Sequence, residues 1–292
     1  MARDVQHDLR KRHCGNYDRR VVCGTDPCAD VGRVRRKQND RSKRRTRPGG
    51  QSGTRIKKQV QYRTYERKKQ VNHKKEIVNT LQKMSGKYSA YEIFSDWIKC
   101  CALAISNQSD LFQDNEIWES REQEYLATIR KYPPEEVKEF TRMLAELAFA
   151  LEDEITDVLG EVYMEADMGS KSTGQFFTPY HLSKMTAGVT IPADVSPAKP
   201  LILNEPSTGG GGMIIAAAEI LRKRGLNHQR CMEVVAQDLD WKGVYMTYLQ
   251  LSLLGIKAIV VQGNTLSEPF TDLRSYPKER VLLTPAQKGM LI

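Results

Sequence analysis

The first 75 residues are short of apolar and acidic side chains. Only 18 of them are apolar, and 7 Asp+Glu stand against 24 Lys+Arg, a net charge of +17. So little apolar surface cannot offset the entropy cost of ordering a chain, and no packed core is expected there. The other 217 residues carry 21 Lys+Arg and 29 Asp+Glu, a net of −8, so the overall +9 of this 292-residue chain belongs to one end of it. Other absences narrow the class. No window holds 18 consecutive apolar residues, so no membrane-spanning helix is expected, and no apolar run follows the charged N-terminus as a secretory signal requires. The six cysteines include no Cys-x-x-Cys pair. Cys14, Cys23 and Cys28, beside His13, match no common zinc spacing, so no metal is expected. Cys100 and Cys101 are neighbours on an apolar stretch rather than parts of a disulfide framework, which points to a reduced, cytoplasmic setting. No Gly-Lys-Ser/Thr phosphate-binding loop occurs.

What is present divides the chain into three expected parts: a basic tail at 1–75, a helical bundle at 76–168, and an α/β domain at 169–292. The tail holds Arg33-Val34-Arg35-Arg36-Lys37 and Lys43-Arg44-Arg45. Such blocks repel themselves and stay solvated. They suit a phosphate-binding arm for DNA, and equally a leader with no specific partner. Beyond them, Tyr91, Phe94, Trp97, Ile98, Cys101 and Ile105 recur at three- and four-residue spacing, which predicts an amphipathic helix with Ser89 as its N-cap. A second helix is expected over 113–131. Pro133-Pro134 with Glu135 and Glu136 opens a third, whose apolar stripe runs from Val137 to Val162 as one long helix or two joined near Gly160.

After Gly169 three strands alternate with two helices. Leu201-Ile202-Leu203 runs into Gly209-Gly210-Gly211-Gly212 and a helix over 214–224. A strand at 233–236 ends at Asp238 and is followed by a helix from Trp241, and a strand at 256–261 ends at Gly263-Asn264. Right-handed crossovers make this a parallel sheet, with ligands held at the carboxyl ends of the strands. Glycines there let a ligand approach the backbone and face a helix N-terminus. Asp238 is placed to accept hydrogen bonds from ribose hydroxyls, and Asp240 to cap the next helix. The dinucleotide fingerprint is not met: Ile214 stands where its third glycine belongs, and the acid lies 29 residues after Gly209 rather than about 20. This disfavours a nicotinamide cofactor and leaves another adenosine-containing one open.

Several ordered motifs together resemble the N6-adenine DNA methyltransferases, in particular type I restriction-system methylase subunits and related phage or mobile-element methylases. Over about 88–292 these are Asp157-Val158-Leu159-Gly160-Glu161-Val162-Tyr163, then Gln175-Phe176-Phe177-Thr178-Pro179, then Glu205-Pro206-Ser207-Thr208-Gly209-Gly210-Gly211-Gly212-Met213, then Gln237-Asp238, then Gly263-Asn264-Thr265-Leu266. The resemblance implies an α/β fold, with an N-terminal helical bundle and an incomplete doubly wound parallel sheet of the S-adenosylmethionine-dependent methyltransferase type. It also implies S-adenosylmethionine as cofactor and methylation of adenine N6 in DNA. Gln175, Phe176, Phe177, Thr178, Pro179 and Tyr180, with Gly209, Gly210 and Gly211, would hold the methionine part. Asp238 would bind the ribose and Asn264 would lie near the adenine. Glu205 replaces the family's Asp. The family's catalytic Asn-Pro-Pro-aromatic maps onto Thr284, Pro285, Ala286 and Gln287, a degenerate motif. Few residues remain for further strands, so the sheet is expected to be truncated, with DNA and a second chain supplying target recognition as partners. The alternative is an inactive cofactor- or DNA-binding accessory chain.

Overall fold

Capping chemistry sets the helix boundaries. In the computed structural model, which describes residues 71–110, 115–166 and 177–290, Asn72 caps α1 (His73–Met84) by accepting from the Lys75 amide at 3.0 Å. Helix α2 (Ala90–Asp110) opens on a reciprocal capping box: the Ser89 amide donates to Glu92, and the Glu92 amide donates back to Ser89 Oγ. Helix α3 spans Asn115–Ile129, and α4 (Pro134–Asp153) begins with proline and two glutamates in its first turn. The long apolar stripe breaks before Gly160. Glu154 is extended, and Asp157 caps a separate α5 (Val158–Glu165) by accepting from the Gly160 amide. An N-cap side chain stops one helix and starts the next, so the joint falls at the Asp rather than the Gly. The basic tail up to residue 70, including its three cysteines, lies outside the described residues. Cys100, Cys101 and Cys231 are buried free thiols, and burial pushes the Cys100 thiol up to about 12.

Helix α6 (Tyr180–Thr190) turns only the small residues Ser183 and Ala187 fully inward, leaving Leu182, Met185 and Val189 exposed. The sheet follows: β1 (Leu201–Glu205), α7 (Gly212–Lys223), the short α8 (His228–Cys231), β2 (Met232–Asp238), α9 (Trp241–Leu253), β3 (Lys257–Gln262) and β4 (Val281–Leu283). Strand order is β1-β2-β3-β4, with β1, β2 and β3 parallel. Two right-handed crossovers in one direction place α7 and α9 on the same face. There Leu203, Val234, Ala258 and Leu282 join a single apolar core that also contains Trp97, Phe94 and Leu147 of the helices. The opposite face is covered only in part: Val261, Val281 and Tyr276 form a small second cluster, while Ile202 on β1 is exposed.

The fourth strand departs from the parallel expectation. It pairs antiparallel with β3, Val261 opposite Val281 and Ile259 opposite Leu283. The connection at 263–280 contains no crossover helix, only a 3-10 turn (Lys278–Arg280). It stays at the carboxyl end of the sheet, where the Gln237 amide donates to Glu268 O and Tyr276 hydroxyl to Gln262 O. A chain that re-enters the sheet at the end it left must run antiparallel. No described helix is long and apolar enough to cross a membrane.

Thr284 closes this strand. It is fully buried, donates through Oγ1 to Ile256 O at 2.7 Å and accepts from the Ala258 amide at 3.0 Å. We predict that Thr284→Val lowers stability by about 1–3 kcal/mol, because it leaves buried backbone groups unpaired. Urea unfolding measures this, and an unchanged midpoint would contradict it.

Candidate functional site

The β1–α7 turn forms the floor of a cleft of about 330 Å³ at the carboxyl end of the parallel strands. Gly209 and Gly211 have left-handed φ of 54° and 90°, which glycine tolerates without strain. A Cβ on Gly209 would lie 2.9 Å from the Phe177 ring, so bare backbone is needed for that aromatic to pack on the turn. Helix α9 supports the turn from below with one face. Gly243 brings the helix against it, since a Cβ there would lie 3.1 Å from Gly209 O. Thr247 Oγ1 donates to Gly209 O at 3.0 Å, and Gln250 Nε2 donates to Gly210 O at 2.8 Å.

Two carboxylates flank the turn. Asp238, at the end of β2, accepts from the Gly209 amide at 2.7 Å and from the Asp240 amide at 2.9 Å. Asp240 caps α9 through the Lys242 amide. On the other side Asp157 is 4% exposed, and its Oδ1 accepts from the Gly160 amide at 2.9 Å and from Gln250 Nε2 at 2.8 Å. Burial pushes the Asp157 carboxyl up to about 6, partly offset by those two hydrogen bonds; Glu161 nearby raises it and Lys74 lowers it. Lys242 also lines the cleft. Burial disfavours its ammonium, but hydrogen bonds to Tyr163 (3.2 Å) and Tyr91 (3.4 Å) outweigh that and hold its pKa above the ordinary value.

Of the residues singled out in the sequence, Phe177, Thr178, Gly209, Gly210 and Asp238 come together as cleft walls. Gly211 lies behind them as the N-cap of α7, against Thr247. Pro179 and Tyr180 begin α6, with the Tyr180 hydroxyl 2.8 Å from the Glu219 carboxylate. Glu205 ends β1 outside the cleft, accepting from the Ser207 amide at 3.4 Å; burial raises its pKa. Asn264 is exposed and turns its side chain to the Leu266 amide, outside the cleft walls. Gln175 and Phe176 lie outside the described residues.

Thr284, Pro285 and Ala286 do not line this cleft. Because β4 runs antiparallel, they follow its carboxyl end beside Ala258, near the start of β3, at the opposite end of the sheet. Asp157, Ser183 and Lys242 are cleft residues that the site prediction omitted. Asp157 stood in a quoted motif but has the ordinary look of an N-cap, and Ser183 carries no pattern of its own.

A strand–glycine turn–helix with an acid after the second strand is an open α/β arrangement, the class of fold that holds ligands at the carboxyl ends of its strands. Residues 154–282, less than half of the chain, match the family described as N-6 DNA Methylase. Over 135 residues the chain is 25% identical to the methylase subunit of the type I restriction enzyme MjaIX of Methanocaldococcus jannaschii, covering 44% of this chain and 23% of that protein. The chain thus spans about a quarter of the length of this curated relative. Among solved structures it is similar to a putative class I S-adenosylmethionine-dependent methyltransferase from Listeria monocytogenes. That match has 13% identity and a TM-score of 0.37 over 68% of this chain and 56% of the other. It is also similar to a type I restriction-modification methyltransferase subunit from Streptococcus thermophilus, with 17% identity and a TM-score of 0.38 over 77% and 50%.

The raised Asp157 pKa has a definite sign. The native state holds this proton more tightly than the unfolded chain, so its contribution to stability is full below about 3.8 and is lost as pH rises through about 6. The difference corresponds to roughly 3 kcal/mol. Asp157→Asn keeps the Oδ1 acceptor and removes the charge. The variant should therefore gain on the wild type by about that amount between pH 4 and pH 7 in urea unfolding, and a constant difference would contradict this.

Proposed function

We propose that this chain is the cofactor-binding part of an adenine-specific DNA methyltransferase, which binds S-adenosylmethionine in the cleft and takes part in methylation of adenine N6 in DNA. The observation that carries this reading is the glycine turn held against Asp238 and Phe177 within a segment that matches the N-6 DNA Methylase family. The residues present fit the cofactor. The Ser183 hydroxyl is buried without a partner, and the turn comes so close to Phe177 and α9 that a Cβ at Gly209 or Gly243 would fill the space. Each Asp238 oxygen accepts one backbone amide and retains acceptor capacity for a ribose hydroxyl. Phe177 and Thr178, with Gly209 and Gly210, line the cleft and would hold the methionine part. When bound, the cofactor supplies a methyl group on a positively charged sulfur.

The tail, with its net +17, supports DNA as partner through phosphate contacts. A β1 edge unpaired among the described residues, an exposed Ile202 and the exposed Leu182, Met185 and Val189 of α6 support a second protein chain that completes this side and brings target recognition. The groups that hold the target adenine would then come from outside the described cleft. A reducing cytoplasm suits the three buried thiols.

Calorimetric titration of the chain with S-adenosylmethionine tests the cofactor assignment, and transfer of labelled methyl to adenine-containing DNA tests the reaction. A Cβ at Gly210 already meets Met246 at 3.2 Å. Gly210→Val should weaken cofactor binding roughly tenfold or more, about 1.4 kcal/mol, with unchanged helical circular dichroism. Absence of wild-type binding would sink the assignment, and binding without transfer would leave a cofactor-binding accessory chain.

A further inference from the structure

We infer that a second pocket, between α3, α9 and β4, receives an arginine side chain from a partner protein. It shares no lining residue with the cofactor cleft, and β4 lies at the edge of the sheet opposite β1.

The pocket has a volume of about 360 Å³. One wall is an aromatic pair a helical turn apart on α9: Trp241 and Tyr245 stack with ring centroids 5.1 Å apart and planes tilted by 26°. They point away from the face that carries Gly243, Thr247 and Gln250, so the helix supports the glycine turn on one side and this pocket on the other. Tyr245, Leu103 of α2 and Leu282 of β4 are buried and make an apolar floor. Glu116, Ser120 and Glu279 are exposed and make a polar rim. A buried apolar floor inside a polar rim is how a protein interface holds an anchoring side chain.

Charge selects which side chain. Arg121, the lining cation, is committed: it donates to Asp110 at 2.6 Å, to Ser106 at 2.8 Å and to Val281 O at 2.8 Å. Glu124 pairs with Lys99 at 2.6 Å. Glu116, in the first turn of α3, and Glu279, in the turn before β4, form no ion pair among the described residues. A phosphate would meet two open carboxylates and no free cation, which disfavours a nucleic acid strand. A guanidinium meets both demands of the pocket. Its plane stacks on an aromatic face, its fork of donors suits carboxylates, and its aliphatic stem suits the leucines. An ammonium has the charge without the plane or the fork.

The test is an NMR titration of the isotope-labelled full chain, read at the Trp241 indole N–H, which Trp241→Leu assigns by removing it. The probes are the blocked tripeptides Ala-Arg-Ala, Ala-Lys-Ala and Ala-norleucine-Ala, and butylguanidinium. The arginine peptide should shift this signal saturably and bind about two- to fivefold more tightly than the lysine peptide. The norleucine peptide should leave the signal in place. Glu116→Gln and Glu279→Gln should each weaken the arginine peptide roughly two- to fivefold, with thermal unfolding confirming that both variants are folded. Butylguanidinium, which has no backbone to meet the rim, should bind more weakly than the peptide. An unmoved Trp241 signal, equal binding of the norleucine peptide or unchanged affinity in both glutamine variants overturns the inference. Butylguanidinium binding as tightly as the peptide would reassign the pocket to a free organic cation and overturn the partner protein.

Discussion

The site depends on one buried side-chain amide, that of Gln250. It is fully buried, and every hydrogen-bonding group it has is used: Nε2 reaches Asp157 Oδ1 and Gly210 O, and Oε1 receives the Leu159 amide. Three segments distant in sequence meet there: the start of α5, the glycine turn and the middle of α9. A buried network that is complete is rigid, and one that loses a member exposes several unpaired groups at once. The helices before the sheet are therefore part of the site's construction, because Asp157 and Gln250 cannot be separated without unpairing the turn.

Helix α9 extends this role along one face. Gly243, Thr247 and Gln250 recur at helical spacing and meet Gly209 O and Gly210 O, so the turn's carbonyls point down into the helix. With its carbonyls held below, the turn faces the cleft between two carboxylates with different work. Asp238 is occupied by backbone amides on both oxygens and keeps only spare lone pairs, whereas Asp157 has one oxygen bound and one open. The same residue type thus presents a carboxylate engaged at both oxygens on one side and at one oxygen on the other.

The local pieces of the fold were legible because local chemistry decides them. Ser89 caps where it was expected, Pro134 opens its helix, and strand–glycine–helix units follow their apolar runs. The direction of β4 was not legible, because the three residues of the strand do not set it. The missing crossover helix and the anchoring of 263–280 by Gln237 and Gln262 do. The antiparallel direction puts Thr284 at the end of the sheet opposite the cleft, so order along the chain does not give position in space. Ser183 and Gln250 were invisible for another reason. Each sits on an ordinary helix, and its meaning comes only from what the fold brings against it.

In the proposed reading the cleft beside the glycine turn receives an adenosine-containing cofactor, with Asp238 at its ribose. A crystal structure of the chain with S-adenosylhomocysteine tests it most directly. The expected result is the ligand lying along residues 207–213 with its ribose hydroxyls at Asp238. A ligand bound in the reverse direction, or away from residues 207–213, would contradict it.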